Sequence, residues 1–218
     1  MLRDPGVATA SRSVVKILGT ACGLGLEGSG WVAGPGLVVT NAHVVAGEQD
    51  TTVVSQSGGA LTARAVVFDP HNDVAVLRVA GLTGPPLRLA EPRTGAAVAI
   101  LGFPLNGGLD AEPGRIGTTA RVLTQDAYGR PTFRTVTSFR GRVRPGNSGG
   151  PAVDSSGAVK IVVFAGRTTG GGGFGIPSSI VRDALAHAHG PVSTGPCARQ
   201  PSDSRSRIPN GRRKGATR

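Results

Sequence analysis

The stretch "RPGNSGGPAVD" at Arg144–Asp154 places one serine, Ser148, between glycines on both sides. Two local structures fit such a sequence. In a G-x-S-x-G elbow, the serine occupies a sharp turn between a strand and a helix. In a glycine-rich loop, the serine lies between two strands, and the glycines let the backbone turn sharply around it. The choice bears on the fold class, because the elbow belongs to α/β folds.

The residues that follow Ser148 argue against the elbow. Two glycines and a proline come directly after the serine, and a strand-like run follows them. Two glycines would cost a helix about 2 kcal/mol together. The elbow also needs its acid and its histidine after the serine, and the histidines there, His187 and His189, lie on the polar end of a predicted helix. The sequence therefore indicates a serine in a glycine-rich loop.

The composition favours many short strands. Hydrophobic residues make up 39% of the 218 residues and aromatic residues only 4%, whereas glycine (35) and proline (16) are abundant. Such a chain suits strands joined by tight turns better than long helices. Twelve strand-like runs divide six and six around a proline-rich segment at 81–95, and one segment, 177–190, is typical of a helix.

We therefore predict an all-β fold of two six-stranded antiparallel β-barrels with a short C-terminal helix. The predicted division of the chain is an N-terminal extension (1–12), a first barrel (13–90), a second barrel with the helix (91–189), and a basic tail (190–218) that contains Cys197.

Much of the net charge of +11 lies in the tail. From Gly190 onward there are seven Lys/Arg and one acid, which gives the tail +6, and we expect it to be disordered. A nucleic-acid interface needs a basic face with interleaved aromatic residues, which is not visible, so we expect no nucleic-acid partner.

No apolar run of membrane-spanning length and no signal-peptide core occurs, so we expect neither a membrane-spanning segment nor a signal peptide in this chain. No Cys/His cluster has the spacing of metal ligands, and no cofactor is expected.

Three reactive residues occur in the order His, Asp, Ser at predicted strand ends. His43 follows the strand-like "GLVVT", Asp73 opens "DVAVLRV", and Ser148 lies in the glycine-rich loop. A serine hydroxyl is a weak nucleophile that needs a hydrogen-bonded base. His43 would take its proton, and Asp73 would orient the imidazole ring, with Asp69 as the alternative acid. The N–H groups of Gly146 and Ser148 would point at a developing oxyanion.

The two cysteines, Cys22 and Cys197, lie at the two margins of the predicted fold. A disulfide between them would tie the ends together and would indicate an oxidising compartment. The alternative is a pair of unrelated thiols.

Four blocks, in order, resemble those of bacterial chymotrypsin-fold serine proteases of the trypsin-like and HtrA-like group. They are "TNAHVV" (40–45), "DPHNDVAVLRV" (69–79), "GNSGGP" (146–151) and "GFGIPSSIV" (173–181). The closer resemblance is to the actinobacterial membrane-anchored periplasmic proteases of the MarP type, which share the opening "SVVKI" (13–17), a cysteine shortly after it, and a closing motif that here is "TGPC" (194–197). The resemblance covers about residues 13–198.

The resemblance implies a chymotrypsin-like double barrel with the active site between the barrels. It assigns His43, Asp73 and Ser148 as a catalytic triad, with Gly146 and Ser148 as the oxyanion donors. The implied function is a serine endopeptidase that hydrolyses a protein or peptide substrate through an acyl-enzyme, without a cofactor. The alternative is a catalytically inactive protease-fold module that binds peptides or cell-wall components.

The resemblance also implies a disulfide between Cys22 and Cys197 and an extracytoplasmic location. The sequence departs from the relatives in several respects. Chains of the MarP type begin with membrane helices, which are absent here, and HtrA-like chains continue into a PDZ domain, for which too few residues follow the predicted helix. Animal trypsins have an aspartate before the serine that pairs with a newly cut N-terminus. Because the residue here is the neutral Asn147, we expect no such activation.

By the same resemblance, three segments line the pocket for the substrate residue before the scissile bond. The pocket residues are Arg142, Val143, Val163, Phe164, Ala165 and Phe174. No acid occurs among them, and an unpaired buried charge is costly. We therefore expect small or medium apolar substrate residues to be preferred over Lys or Arg. Arg142 either points to solvent or reaches into the pocket and favours an acidic or polar residue.

Overall fold

The computed structural model describes residues 3–56, 58–166 and 171–197, and its strands close into two antiparallel barrels. The first barrel has the strand order β1-β2-β3-β6-β5-β4. Its strands are Val14–Ala21 (β1), Leu24–Gly34 (β2), Leu37–Thr40 (β3), Thr52–Val54 (β4), Ala60–Asp69 (β5) and Val74–Val79 (β6).

The second barrel has the strand order β10-β11-β12-β9-β8-β7. Its strands are Ala97–Gly102 (β7), Asp110–Gln125 (β8), Pro131–Gly141 (β9), Pro151–Val153 (β10), Val159–Gly166 (β11) and Gly173–Pro177 (β12). The predicted all-β double barrel is therefore confirmed. The strands β8 and β9 form a long hairpin, and each is longer at both ends than the strand-like run that predicts it, "GRIGTTARVL" (114–123) for β8 and "TFRTVTSF" (132–139) for β9.

Three α-helices complete the described part of the chain: Pro5–Ser11 (α1), Ala42–Val45 (α2) and Ser178–Ala186 (α3). A short 3-10 turn occupies Pro104–Asn106. Within the described ranges, no helix is long and apolar enough to cross a membrane. The last of the three, α3, is the predicted C-terminal helix, and Pro177 occupies its N-cap position without a side-chain capping bond.

The helix α1 lies in the segment that the sequence assigned to an extension. Asp4 caps it by accepting hydrogen bonds from the N–H groups of Gly6 and Val7, at 3.0 and 3.3 Å. Pro5 fits the first helical turn, where its missing N–H is not needed. Val7 and Ala10 are buried in the largest apolar cluster of the protein. The pair Asp4–Pro5 is typical of a helix N-terminus. A helix of seven residues is too short to show the apolar periodicity by which a sequence predicts a helix.

Each barrel has its own apolar core, and a third cluster lies between the barrels. The first-barrel core includes Ile17 and Leu77, and the second-barrel core includes Ile100 and Ile161, all of them at most 1% exposed. The third cluster holds the only tryptophan, Trp31, together with residues of both barrels and of α3. The two barrels are thus fixed against each other by buried apolar surface, which contributes about 25 cal/mol per Å².

The segment 190–197 ties the C-terminus back to the first barrel. Cys197 is bonded to Cys22, 175 residues away, with the two Cα atoms 6.2 Å apart. The N–H of Gly47 donates to the carbonyl of Thr194 at 3.1 Å, and the Thr194 hydroxyl donates to the carbonyl of Glu48 at 3.0 Å. The two cysteines therefore form the disulfide that the sequence analysis considered, and they are not unrelated thiols. The rest of the predicted basic tail, 198–218, lies outside the described residues.

A buried acid, Glu48, lies beneath this segment. The residue is 5% exposed, one carboxylate oxygen accepts from the Thr51 hydroxyl at 2.7 Å, and the other has no partner among the described residues. Burial disfavours the charged form and raises the pKa of Glu48 to about 7, the Thr51 bond lowers it, and the nearby charge of Asp50 raises it. The folded protein therefore holds a proton here that the unfolded chain releases at lower pH.

We expect this acid to make the protein less stable as the pH rises from about 4.5 to about 7. In that window the unfolded state binds fewer protons than the folded state, so the free energy of unfolding falls with pH. The difference between the pKa of Glu48 in the unfolded chain and in the folded protein limits the fall in the free energy of unfolding to about 3 kcal/mol. Urea unfolding from pH 4 to 8 should show this slope, and Glu48→Gln should flatten it. Glu91→Gln, which removes an exposed carboxylate, is the control. An unchanged slope in Glu48→Gln would contradict the assignment.

Candidate active site

The register of β3 and β6 brings His43 and Asp73 together. The two strands are antiparallel, and Thr40, the last residue of β3, lies opposite Ala75, near the start of β6. His43 comes three residues after Thr40, and Asp73 comes directly before β6. The strand-like sequence "GLVVTNAHVV" (36–45) predicts a strand as far as residue 45, but β3 ends at Thr40 and the one-turn helix α2 follows. That turn directs His43 towards the start of β6.

Asp73 holds both the ring and the backbone of His43. Its carboxylate oxygens lie 3.0 and 2.9 Å from Nδ1 of His43, and one of them accepts from the His43 N–H at 2.9 Å. The rival acid, Asp69, is bonded instead to the backbone and side chain of Asn72, at 3.1 and 2.7 Å. Asp69 therefore stabilises the turn before β6, and Asp73 is the acid in contact with the histidine.

The backbone at Asp73 is held in an uncommon conformation. Its φ of 60° lies in the left-handed region, which a residue other than glycine adopts at a cost of about 1–3 kcal/mol. The carbonyl of Asp73 accepts from the side-chain amide of Asn41 at 3.0 Å. Asn41 precedes α2, so the segment that carries the histidine also fixes the acid. Local strain maintained by surrounding contacts is typical of functional sites.

The environment of His43 favours its protonated form. Burial of the ring lowers the pKa, but the charge of Asp73 and its hydrogen bond raise it more, and Arg134 lowers it, so that the pKa of His43 lies above its ordinary value. The side chain of His43 is 32% exposed, whereas that of Asp73 is 3% exposed. The His43 side chain is thus partly accessible, and the carboxylate is shielded from water.

Ser148 lies in the loop between β9 and β10, which packs against the histidine segment. The N–H of Ser29, on β2, donates to the carbonyl of Ser148 at 2.8 Å. A Cβ added to Gly28 would lie 2.6 Å from the Val44 side chain and 3.2 Å from the Ser148 carbonyl. Val44 is next to His43 in α2, so both residues border Gly28. Within the described residues, the Ser148 hydroxyl donates no hydrogen bond to His43; such bonds often tighten only with substrate present.

The glycines of this loop are required by close packing. Gly149 has φ of 83°, and a Cβ there would collide with the carbonyl of Ser29 and the hydroxyl of Thr40. Gly146 has φ of 91°, and a Cβ there would collide with the carbonyl of Phe103. Any larger residue would push the loop away from the histidine segment or force an unfavourable backbone conformation.

A buried serine, Ser29, holds the peptide group of Gly146. Its hydroxyl donates to the Gly146 carbonyl at 2.7 Å and accepts from the Phe103 N–H at 2.9 Å, and the side chain has no exposed surface. Within the described residues, the N–H groups of Gly146 and Ser148 donate to no protein oxygen. They are the two groups that the sequence predicted as oxyanion donors.

Asn147 occupies the position that carries a paired aspartate in animal trypsins. The residue is 2% exposed, and its side-chain oxygen, Oδ1, has no partner among the described residues. The backbone N–H of Asn147 donates to the backbone carbonyl of Arg144 at 3.0 Å. Arg144 is in turn paired with Asp110 and Glu112 of β8, at 2.6 and 2.7 Å. The loop before Ser148 is therefore anchored to β8 by charge, a contact that the sequence did not indicate.

The predicted pocket residues do not form a single wall. Val163 belongs to the core of the second barrel, whereas Phe164, one residue later on β11, belongs to the cluster between the barrels. Phe164 stacks on Phe174 with ring centroids 6.4 Å apart. Val143 packs against the second-barrel core and against Gly166, and Arg142 is exposed. The remaining residue, Ala165, pairs with Phe174 through the backbone, and its side chain lies outside the described part of the structure.

Known proteins share this architecture. The sequence profile of the trypsin-like peptidase domain matches residues 28–160. Serine protease Rv3671c of Mycobacterium tuberculosis is 42% identical over 206 residues, which are 90% of this chain and 52% of the relative. A probable DegP-like periplasmic serine endoprotease of Pseudomonas putida is 32% identical over 72% of this chain and 32% of its own length.

A solved structure supports the same assignment. The crystal structure of the Rv3671c protease of M. tuberculosis in its active form superimposes with a TM-score of 0.85, at 42% identity, over 91% of each chain. The present chain spans about half the length of the relative Rv3671c. The profile match extends over more than half of the present chain, and the protein therefore belongs to the trypsin-like peptidase family.

Proposed function

We propose that the protein is a serine endopeptidase that uses His43, Asp73 and Ser148 as a catalytic triad. One observation carries the proposal: the buried Asp73 carboxylate binds Nδ1 and the backbone N–H of a histidine that lies beside the serine loop. This contact fixes the proton of His43 on Nδ1. The other ring nitrogen, Nε2, is then free to act as a base towards a serine hydroxyl.

In the proposed mechanism, Ser148 Oγ attacks the carbonyl carbon of the scissile peptide as its proton moves to Nε2 of His43. Asp73 stabilises the resulting imidazolium, which then gives the proton to the leaving amine. The acyl-enzyme is hydrolysed by a water that His43 deprotonates in the same way. The N–H groups of Gly146 and Ser148 hold the oxyanion in both halves of the reaction, and one such donor contributes about 2.7–4 kcal/mol.

The proposed location of the protein is extracytoplasmic. The support is the disulfide between Cys22 and Cys197, because such bonds persist in oxidising compartments. A DegP-like relative is described as periplasmic. Alkylation of native protein from the producing cells tests this proposal, since two reactive thiols per chain would contradict it.

We expect the substrate residue before the scissile bond to be apolar and of small or medium size. Phe174 and the edge of Phe164 that it stacks on offer apolar surface, whereas Val163 is buried in the second-barrel core, and none of the proposed pocket residues is an acid that would neutralise Lys or Arg. A diverse peptide library with mass-spectrometric detection would report cleavage and preference together. Preference for Ala, Val, Leu or Phe is expected. Preference for Lys or Arg would contradict the apolar pocket, and preference for Asp or Glu would indicate that Arg142 reaches into it.

A further inference from the structure

Arg134, on β9, is a buried cation without a carboxylate in contact. The residue is 4% exposed, and no acid of the described residues lies within ion-pair distance of it. Arginine is rarely buried unless it is paired, and an uncompensated buried charge destabilises the folded state. Such a violation of packing rules is expected chiefly at functional sites.

The guanidinium of Arg134 binds the peptide group just before Asp73. Its Nη1 donates to the carbonyl of Asn72 at 2.7 Å. The carbonyl of Asp73 itself is held by Asn41 at 3.0 Å. The two peptide groups that flank the Cα of Asp73 are therefore each held by a side chain, one by Asn41 of the first barrel and the other by Arg134 of the second. Between them lies the left-handed φ of 60° at Asp73, a conformation that persists only when its surroundings determine it.

We propose that Arg134 is a positioning residue for the catalytic acid: it fixes the Asn72–Asp73 peptide from the second barrel and places a positive charge behind the Asp73–His43 pair. The inference rests on the proposed endopeptidase function. Arg134 is too deeply buried to contact a substrate, so its effect on catalysis passes through Asp73 and His43.

The charges around Arg134 support this role. Burial lowers the pKa of the Arg134 guanidinium, and the charges of Asp73, Asp126 and Asp69 raise it, although none of these acids forms an ion pair with it. In return, Arg134 opposes protonation of His43, against the larger effects of burial and of Asp73. Loss of the positive charge should therefore raise the pKa of His43.

Arg134 also joins the acid to the strands of the proposed substrate pocket. The guanidinium carbon lies 4.1 Å from the centroid of the Phe164 ring, in a cation–π contact. Phe164 in turn stacks on Phe174 of β12. A continuous contact therefore runs from the peptide before Asp73 through Arg134 to β11 and β12. This path links the two barrels next to Asp73.

The test is a comparison of Arg134→Met and Arg134→Lys in the full chain, with Arg140→Met on the same strand as the control, since Arg140 is exposed. Active enzyme is counted by fluorophosphonate titration, so that unfolded protein does not affect kcat. We expect Arg134→Met to lower kcat roughly tenfold or more, because small displacements of catalytic groups are costly, with little change in KM. The acid limb of its pH profile of kcat/KM should move to higher pH. Arg134→Lys should keep the wild-type limb, and Arg140→Met should behave as wild type.

Two results would overturn the role of Arg134 while leaving the protease function intact. One is a kcat of Arg134→Met within twofold of the control and an acid limb at the wild-type pH. The other is an acid limb of Arg134→Lys displaced as far as that of Arg134→Met. If Arg134→Met fails to fold by circular dichroism, Arg134→Gln replaces it with the same expectations. A wild-type protein without turnover would contradict the proposed function itself, and the inference with it.

Discussion

Replacement of Ser148 by alanine is expected to lower kcat by roughly 10⁶-fold while the fold is retained. The nucleophile is lost, but the loop around it is held by other groups: the Ser148 carbonyl bonded to Ser29, the N–H of Gly149 bonded to Val163 at 2.8 Å, and the Gly146 carbonyl bonded to the Ser29 hydroxyl. Circular dichroism and thermal unfolding should match the wild type, and steady-state hydrolysis of a cleaved library peptide gives the loss.

The partner variants distinguish a triad from three independent residues. His43→Ala should cost about as much as Ser148→Ala, and the double variant little more, because the residues act as a unit. Asp73→Asn should lower kcat by about 10⁴-fold, because the histidine is then held with its proton on the wrong nitrogen. Asp69→Asn is the matched control and should retain most turnover. If it is inactive while Asp73→Asn is near wild type, the acid is wrongly assigned.

The second large effect concerns the disulfide. The double variant Cys22→Ser/Cys197→Ser should lower the free energy of unfolding by about 4–5 kcal/mol, because a closed loop with a sequence separation of 175 residues strongly restricts the unfolded chain in the entropy model. The hydrogen bonds between the segment 190–197 and Gly47, Glu48 and Ala65 remain in the folded protein. Denaturant unfolding measures the change.

Reduction provides the control for this prediction. A reductant should destabilise the wild type by a similar amount and leave the double variant unchanged. An effect on both proteins would mean that the reductant acts elsewhere. Equal stability of wild type and variant would show that the bridge does not restrict the chain.

The fold was predictable because its signals are local. Alternating strands, glycine-rich turns and one helical segment identify two barrels, and the strand ends at His43 and Asp73 locate the catalytic candidates. The sequence could not separate Asp73 from Asp69 by distance along the chain. The register of β3 and β6, which places Thr40 opposite Ala75, brings Asp73 to the histidine, whereas Asp69 caps the turn that precedes it.

The residues that the sequence missed act through long-range contacts. Ser29 is 117 residues from Gly146, and Arg134 is 62 residues from Asn72. Neither is marked by a local pattern: Ser29 lies in an ordinary strand, and Arg134 is one of several arginines on the β8–β9 hairpin. Their roles follow only from the packing of the two barrels. Which of the proposed pocket residues can face a substrate also depends on this packing. The neighbours Val163 and Phe164 on β11 belong to different apolar clusters.

The central claim is that Ser148 is activated by His43, and a fluorophosphonate probe tests it most directly. An activated serine reacts with such a probe and an inert one does not. Incubation of the folded protein with the probe, followed by peptide mapping, should give one adduct per chain, on Ser148. The adduct should disappear in Ser148→Ala and be strongly reduced in His43→Ala. A wild-type protein that stays unlabelled while trypsin in the same tube is modified would contradict the claim, and the fold would then serve an inactive binding module.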